Sequence, residues 1–279
     1  MRPSDLKPDH VAVISGGAQG LGLSAALRFA ARGMAVVVAD VNADALQVAE
    51  TRLRDAGARA VLAHQTDVSD RDAVRALRDE VDATLGGADV VMANAGIQPG
   101  SDIFDAQGTW DRVLAVNLGG IVALCQSFVP GMIARGRPGM VIATGSKQGI
   151  TTPPGDPAYN VAKAGVRAFA EALAHHLREV DAPVSAHLFI PGFVFTKLNR
   201  RGRTEKPEGA WTPDQTTAFL FDRIEAGDFY VLCPDNDVTR EMDEKRMAWA
   251  MGDIIDNRPP LSRWHPDWAE RFAAYLEGG

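Results

Sequence analysis

Cysteine is scarce in this 279-residue chain: Cys125 and Cys233 lie far apart in apolar stretches, with no C-x-x-C spacing. That argues against a disulfide-stapled scaffold or a thiolate zinc site and reads as two reduced, buried thiols of an intracellular protein. The six histidines show no ligand spacing, and His175 and His176, being adjacent, point in different directions on a helix. No metal site is expected. Positive charge is in deficit, since 29 Lys and Arg against 36 Asp and Glu give a net charge of −7. Nucleic acid is therefore not an expected partner. Long apolar runs are missing from the N-terminus: Met1 to His10 is polar, and the run after it is cut by Gly16 and Gly17. The longest strongly apolar strand, Met34 to Ala39, is far short of the roughly twenty residues a membrane span needs. The expectation is a soluble, cytoplasmic protein with no membrane partner. With 46% hydrophobic residues, a chain of this length needs no metal or disulfide to hold its core.

What the chain has is alternation. His10–Ser15, Met34–Asp40, Ala58–Gln65, Asp89–Asn94, Met140–Thr144, Val184–Pro191 and Phe229–Cys233 are short, apolar and strand-like. Helical stretches separate them, among them Gly20–Arg32, Ala43–Ala56, Asp70–Leu85 and one beginning near Pro157. Near-continuous apolar strands alternating with amphipathic helices predict an α/β fold, a doubly wound parallel sheet of about seven strands with helices on both faces. Ser69, with Asp72 three residues on, reads as a near capping box, and Gly33 and Gly57 as helix ends. Thr196 to Thr212 reads as a polar, basic loop. Residues 1–233 are expected to form one dinucleotide-binding and catalytic domain, with 234–279 a helical extension packed on it that includes a charged helix, Val238–Asp256.

Ser15-Gly16-Gly17-Ala18-Gln19-Gly20-Leu21-Gly22 sits between the first strand and the first helix. Glycines there let the backbone approach a pyrophosphate, which meets the unsatisfied N–H groups of the helix N-terminus. The spacing G-x-x-x-G-x-G differs from the usual G-x-G-x-x-G, but its context is right. Asp40 ends the second strand, twenty-four residues after Gly16. A carboxylate there either binds the adenosine ribose hydroxyls and repels a 2′-phosphate, or simply caps the following helix. With Val41 and Asn42 next and no arginine, NAD is favoured over NADP.

Tyr159 and Lys163 stand at i and i+4 at the start of the helix from Pro157. A neighbouring ammonium and the positive nicotinamide of an oxidised cofactor would stabilise the phenolate. Lowering its pKa from 10 by about three units takes roughly 4 kcal/mol. Tyr159 would then act as a general acid/base near neutral pH; the plainer reading is a surface helix pair.

Ser146 precedes Tyr159 by thirteen residues, giving S-x12-Y-x3-K. Together with the glycine turn, Asp67-Val68, Asn94-Ala95-Gly96, Asn117 and Pro191-Gly192-Phe193-Val194-Phe195-Thr196, the chain resembles a classical short-chain dehydrogenase/reductase from about residue 10 to 233. The resemblance implies a Rossmann-type fold and an oxidoreductase that interconverts a secondary alcohol and a ketone with NAD. It implies Tyr159 as proton donor or acceptor, with Ser146 polarising the substrate oxygen. Lys163 would bind ribose hydroxyls and depress the tyrosine pKa, and Asn117 would kink a helix and hold a relay water. Gly16, Gln19, Gly20, Leu21, Gly22 and Asp40 would bind the cofactor. Asp67 and Val68 would contact adenine, Asn94, Ala95 and Gly96 would line the cofactor floor, and Pro191, Gly192, Val194 and Thr196 would flank the nicotinamide. A homodimer or homotetramer through helices near 105–135 and 157–180 is implied as well. Gly145 and Ala162 stand where many members have serine, which bears on substrate geometry and leaves every catalytic group in place. The rival readings are a catalytically idle dinucleotide-sensing module and an epimerase or dehydratase with tightly held NAD.

Substrate contacts are less defined. Gln98, Lys147 and Gln148 either face the pocket or are solvated loop residues; Ser146, Phe193 and Trp211 are further candidates. The loop 197–206 carries Lys197, Arg200, Arg201, Arg203 and Lys206 against Glu205, so it either steers an anionic substrate or is a solvated lid. Trp211, Trp249, Trp264 and Trp268 crowd the last 69 residues. They serve either as packing and interface anchors or as a cover for a cyclic or aromatic substrate.

Overall fold

The computed structural model describes residues 1–105, 108–200 and 202–278. Seven strands, β1 (Val11–Ser15), β2 (Ala35–Asp40), β3 (Ala60–Gln65), β4 (Val90–Ala93), β5 (Gly139–Thr144), β6 (Val184–Ile190) and β7 (Tyr230–Leu232), form one parallel sheet in the order β3-β2-β1-β4-β5-β6-β7. This is the Rossmann-like doubly wound architecture expected from the alternation. Strand ends agree with the sequence reading to within one or two residues.

The helices are α1 (Gly20–Ala30), α2 (Ala43–Asp55), α3 (Arg71–Leu85), α4 (Thr109–Leu114), α5 (Gly120–Arg135), α6 (Gln148–Thr151), α7 (Pro157–Glu179), α8 (Pro213–Glu225), α9 (Arg240–Ile255) and α10 (Ala269–Glu277). Side-chain alternation along β1 splits the core. Val11 and Val13 join the layer under α3, α5 and α7, while Ala12 and Ile14 join the layer under α1, α2 and α8. Helix α8 is absent from the sequence reading, although Thr212, Pro213 and Gln215 make a capping box that announces it.

Two local expectations are corrected. The cap of α3 is Asp70, whose carboxylate accepts from the Asp72 and Ala73 N–H groups; Ser69 instead donates its hydroxyl to Asp67 Oδ1 at 2.7 Å. Helix α2 is capped by Asn42, which leaves Asp40 out of the capping role. A long apolar helix also exists. Thr109–Arg135, continuous through a π-helical turn at Ala115–Gly119, is long and apolar enough to cross a membrane by length and composition. Half of its most apolar stretch is buried inside the protein, where α5 packs on the sheet as a core helix. Cys125 and Cys233 are free and buried, and burial pushes both thiols up to about 12.

Beyond β7 the chain builds a small core of its own. The Trp249 ring packs against Trp268, Phe272 and Tyr275 at centroid distances of 6.2, 5.2 and 5.1 Å. The Arg258 guanidinium stacks over Trp249 at 4.4 Å, and the Trp249 indole N–H donates to Ser262.

Phe29 on α1 is fully buried and packs on Phe221 of α8. Phe29→Ala is expected to cost about 3–5 kcal/mol, read as a lower urea midpoint at unchanged slope.

Candidate active site

In a doubly wound sheet the crevice opens where strand order reverses, here between β1 and β4. A cavity of about 900 Å³ lies over the carboxyl ends of the strands at this point. Ser15 and Asn94 hold its floor. Ser15 Oγ accepts from the Asn94 and Ala95 N–H groups at 2.9 and 3.1 Å, and Asn94 Nδ2 donates to the Ser15 carbonyl at 3.2 Å.

Two features of the glycine turn suit a phosphate. Gly16 has φ +61°, and a Cβ on Gly22 would overlap the Gly16 carbonyl, so only glycine lets the turn fold onto α1. Helix α1 starts at Gln19 with no side-chain cap, leaving its first N–H groups to an anion. Gln19 Oε1 lines the cavity, buried and without a hydrogen-bond partner among the described residues. Asp40 is 8% exposed on the cavity wall, its carboxylate accepting from the Ala18 and Asn42 N–H groups. These residues fit a dinucleotide.

The structure brings nearly all the predicted residues to this cavity: Gly16, Gln19, Gly20, Leu21, Asp40, Asp67, Val68, Asn94, Ala95, Gly96, Gln98, Ser146, Gln148, Tyr159, Lys163, Pro191, Gly192, Phe193, Val194 and Thr196. Three others stand behind its wall. Gly22 acts through the turn. Asn117 is fully buried in the π-helical turn, where its side-chain amide accepts from the Ile97 N–H at 2.7 Å and donates to the Ile97 carbonyl at 2.8 Å. It therefore anchors the loop after β4, and a π turn at such a position is typical of functional sites. Trp211, a candidate substrate contact, is not among the residues that line the cavity. Its ring packs on Phe219 and its indole N–H donates to Asn236, while its backbone pairs with Phe193 and Phe195. None of Trp249, Trp264 and Trp268 lines the cavity either.

Sequence reasoning missed Thr66, Ile97, Arg112 and Thr144 as lining residues; nothing in their local pattern marks them. Of the basic loop, Lys197 and Arg203 line the cavity, whereas Arg200 stacks on Phe195 and donates to the Arg203 carbonyl. Arg201 lies outside the described residues.

Chemistry gathers at one wall. The Ser146 hydroxyl, after β5, accepts from the Gln148 N–H at 3.1 Å. Tyr159 is 7% exposed and Lys163 3% exposed, with Lys163 Nζ 5.7 Å from the tyrosine ring centroid and donating to the Thr144 carbonyl at 2.8 Å. Gln98 Nε2 donates to Gln148 Oε1 at 3.0 Å, bridging the loops after β4 and β5.

Without cofactor the tyrosine shift runs the other way from the depression expected with bound NAD+. Burial pushes Tyr159 up to about 12, opposed by its hydrogen bond to Ser146 and reinforced by Asp156. Burial likewise pulls Lys163 down to about 8. Both groups move toward their neutral forms because each charge is withdrawn from water.

The chain as a whole matches known proteins. The short chain dehydrogenase family matches over residues 10–207, and the chain belongs to that family. It is an oxidoreductase of the NAD(P)-using short-chain dehydrogenase/reductase class. The chain is 35% identical over 192 residues to a cis-4-hydroxycyclohexanecarboxylate dehydrogenase of Sinomonas cyclohexanicum, covering 68% of this chain and 75% of that protein. It is 29% identical over 261 residues to a 1-deoxy-11-beta-hydroxypentalenate dehydrogenase of Streptomyces exfoliatus, covering 91% and 94%. Among solved structures, a short chain dehydrogenase/reductase from Burkholderia phymatum in complex with NAD superposes with a TM-score of 0.81 at 28% identity, covering 90% of this chain and 96% of that one. An alcohol dehydrogenase of Thermococcus sibiricus complexed with 5-hydroxy-NADP superposes at 0.69 and 25% identity, covering 77% and 90%.

Because the folded protein keeps the Tyr159 proton through neutral pH, the ultraviolet difference titration of wild type minus Tyr159→Phe should show no phenolate below about pH 10 without cofactor. Saturating NAD+ should move that signal down. Gly22→Ala is expected to weaken NADH binding at least tenfold, measured by NADH fluorescence.

Proposed function

We propose that this chain is an NAD-dependent dehydrogenase that interconverts a secondary alcohol and its ketone, with a cyclic, carboxylate-bearing alcohol as substrate. The observation that carries the reading is the convergence of Ser146, Tyr159 and Lys163 on one cavity that Gly20 and Leu21, at the uncapped N-terminus of α1, also line.

In this reading the turn at Gly16–Gly22 binds the pyrophosphate and Asp40 the adenosine ribose, where its carboxylate repels a 2′-phosphate. When bound, NAD supplies the site that accepts the hydride. The protein's part is to position and to move a proton. Ser146, with its oxygen already accepting from the Gln148 N–H, turns its own proton toward the substrate oxygen and steadies the charge that develops there. Tyr159 takes the alcohol proton, or gives it in reduction. Lys163, fixed by the Thr144 carbonyl, orients the ribose and, when charged, favours the phenolate. Tyr159 and Lys163 are buried from water, which strengthens the interactions between their charges.

The substrate class rests on Lys197 and Arg203 at the cavity, on the Gln98–Gln148 amide pair, and on two relatives whose names are hydroxy-carboxylates. We also infer a cytoplasmic homodimer or homotetramer built through α4–α5 and α7, where Val116, Leu118 and Val122 of the apolar stretch Thr109–Arg135 are only half-buried within the single chain.

Purified protein with a panel of secondary alcohols should form NADH on at least one. Tyr159→Phe should lose turnover at least a thousandfold while keeping NADH affinity within threefold; near-normal turnover would remove the assignment. NAD copurifying with no net NADH would point to an epimerase or dehydratase instead. NADP should serve at least tenfold worse than NAD in kcat/KM, and Asp40→Ala should narrow that gap. Arg203→Gln should raise KM for a hydroxy acid about tenfold and leave that for its methyl ester unchanged; equal shifts for acid and ester would refute the anion contact.

A further inference from the structure

The loop after β5, the turn after β6 and the segment after β7 meet at one ammonium. Lys147 immediately follows Ser146, and its Nζ lies 3.3 Å from Asp235 Oδ2 and 2.6 Å from Asp243 Oδ2. Asp235 Oδ2 also accepts from the Phe193 N–H at 3.1 Å, and its Oδ1 accepts from the Val238 N–H at 2.8 Å. Asp235 is therefore committed on both oxygens. Asp243 is 5% exposed on α9, in the C-terminal extension. A Cβ at Gly192 would stand 2.7 Å from Asp235 Oδ2 and 3.1 Å from Lys147 Nζ, so glycine is what lets this cluster press against the turn that flanks the cavity.

The cluster is charged and enclosed. Burial pushes the Asp243 carboxyl above its usual range, and Lys147, Arg246 and the opposing Asp235 act on it through their charges. Arg263, at the Ser262–Trp264 turn, feels both Asp243 and Arg246. Removing Lys147 would leave two buried carboxylates without their cation, whereas removing Asp243 leaves Lys147 paired with Asp235 alone. The Lys147 ammonium lines the cavity yet is engaged by two carboxylates, and so it is not a free anchor for an anionic substrate.

We propose that Asp243 is a positioning residue: by gripping Lys147, the C-terminal extension sets the Ser146–Gln148 loop and so the hydroxyl that faces the substrate oxygen. The link acts on the alcohol side. The Phe193 turn keeps its own hold through Asp235, so the cofactor side stays in place when Asp243 is changed. This rests on the proposed oxidoreductase chemistry for its kinetic consequence only; the mechanical link stands by itself.

The test is hydrogen exchange on the full-length protein, with kinetics in parallel. Asp243→Asn should raise exchange across 145–151 about tenfold and leave β1 and α1 unchanged. Lys147→Met should do the same, and the double variant should exceed neither single. In turnover, Asp243→Asn should lower kcat about tenfold with NADH affinity within twofold, Asp243→Glu should recover most of it, and Glu244→Gln on the same helix should behave as wild type. Exchange across 145–151 within twofold of wild type overturns the proposal. So does unchanged kcat alongside a lower melting temperature, which is the mark of a purely structural role. If wild type oxidises no alcohol, the functional reading fails by itself and the exchange result still decides the link.

Discussion

Ser15 and Asn94 bind each other across the seam where the sheet reverses direction, and the site is organised around that clasp. One hydroxyl accepts from two successive N–H groups of the strand end opposite, while the Asn94 amide returns a bond to the Ser15 carbonyl. The two halves of a doubly wound sheet diverge at this point, and their ends would otherwise leave backbone groups unpaired. With those ends tied, the Gly16 turn and the Asn94–Gly96 segment form one continuous floor. The Asn117 grip on Ile97 extends that floor into the next loop.

The second organising feature is the burial of titratable groups beside the cavity. Tyr159 and Lys163 are driven toward neutrality by the same withdrawal from water. A positive charge brought close to the phenol would act in the opposite direction and favour the phenolate. The Lys147–Asp235–Asp243 cluster adds a mechanical counterpart, tying the far C-terminal helix to the residue next to Ser146.

Much of this was legible in the residue order. Strand positions followed from β-branched runs, the cofactor turn from glycines between a strand and a helix, and the Tyr159–Lys163 pair from helical spacing. Local chemistry misled in smaller ways. Ser69 looked like a cap because its spacing to Asp72 is right, but Asp67 holds its hydroxyl and Asp70 does the capping. Trp211 looked like a pocket wall because it is bulky and near the loop, yet Phe219 and Asn236 claim its ring and N–H. Of the two roles open to the aromatic tail, packing describes Trp249 and Trp268, which meet with Phe272, Tyr275 and Arg258 outside the cavity lining.

The sequence by itself determined the fold class, because alternating strand and helix periodicities are displayed locally by each chain segment, and it pointed to the glycine turn by its place between a strand and a helix; the Ser146, Tyr159 and Lys163 set came from the resemblance to short-chain dehydrogenases/reductases. Tertiary structure alone decided the direction of the tyrosine shift, the pairing of Gln98 with Gln148 and the meeting of Lys147 with Asp235 and Asp243. Those depend on burial and on contacts between residues 50 to 96 positions apart, and neither quantity is written in the pattern of neighbouring residues.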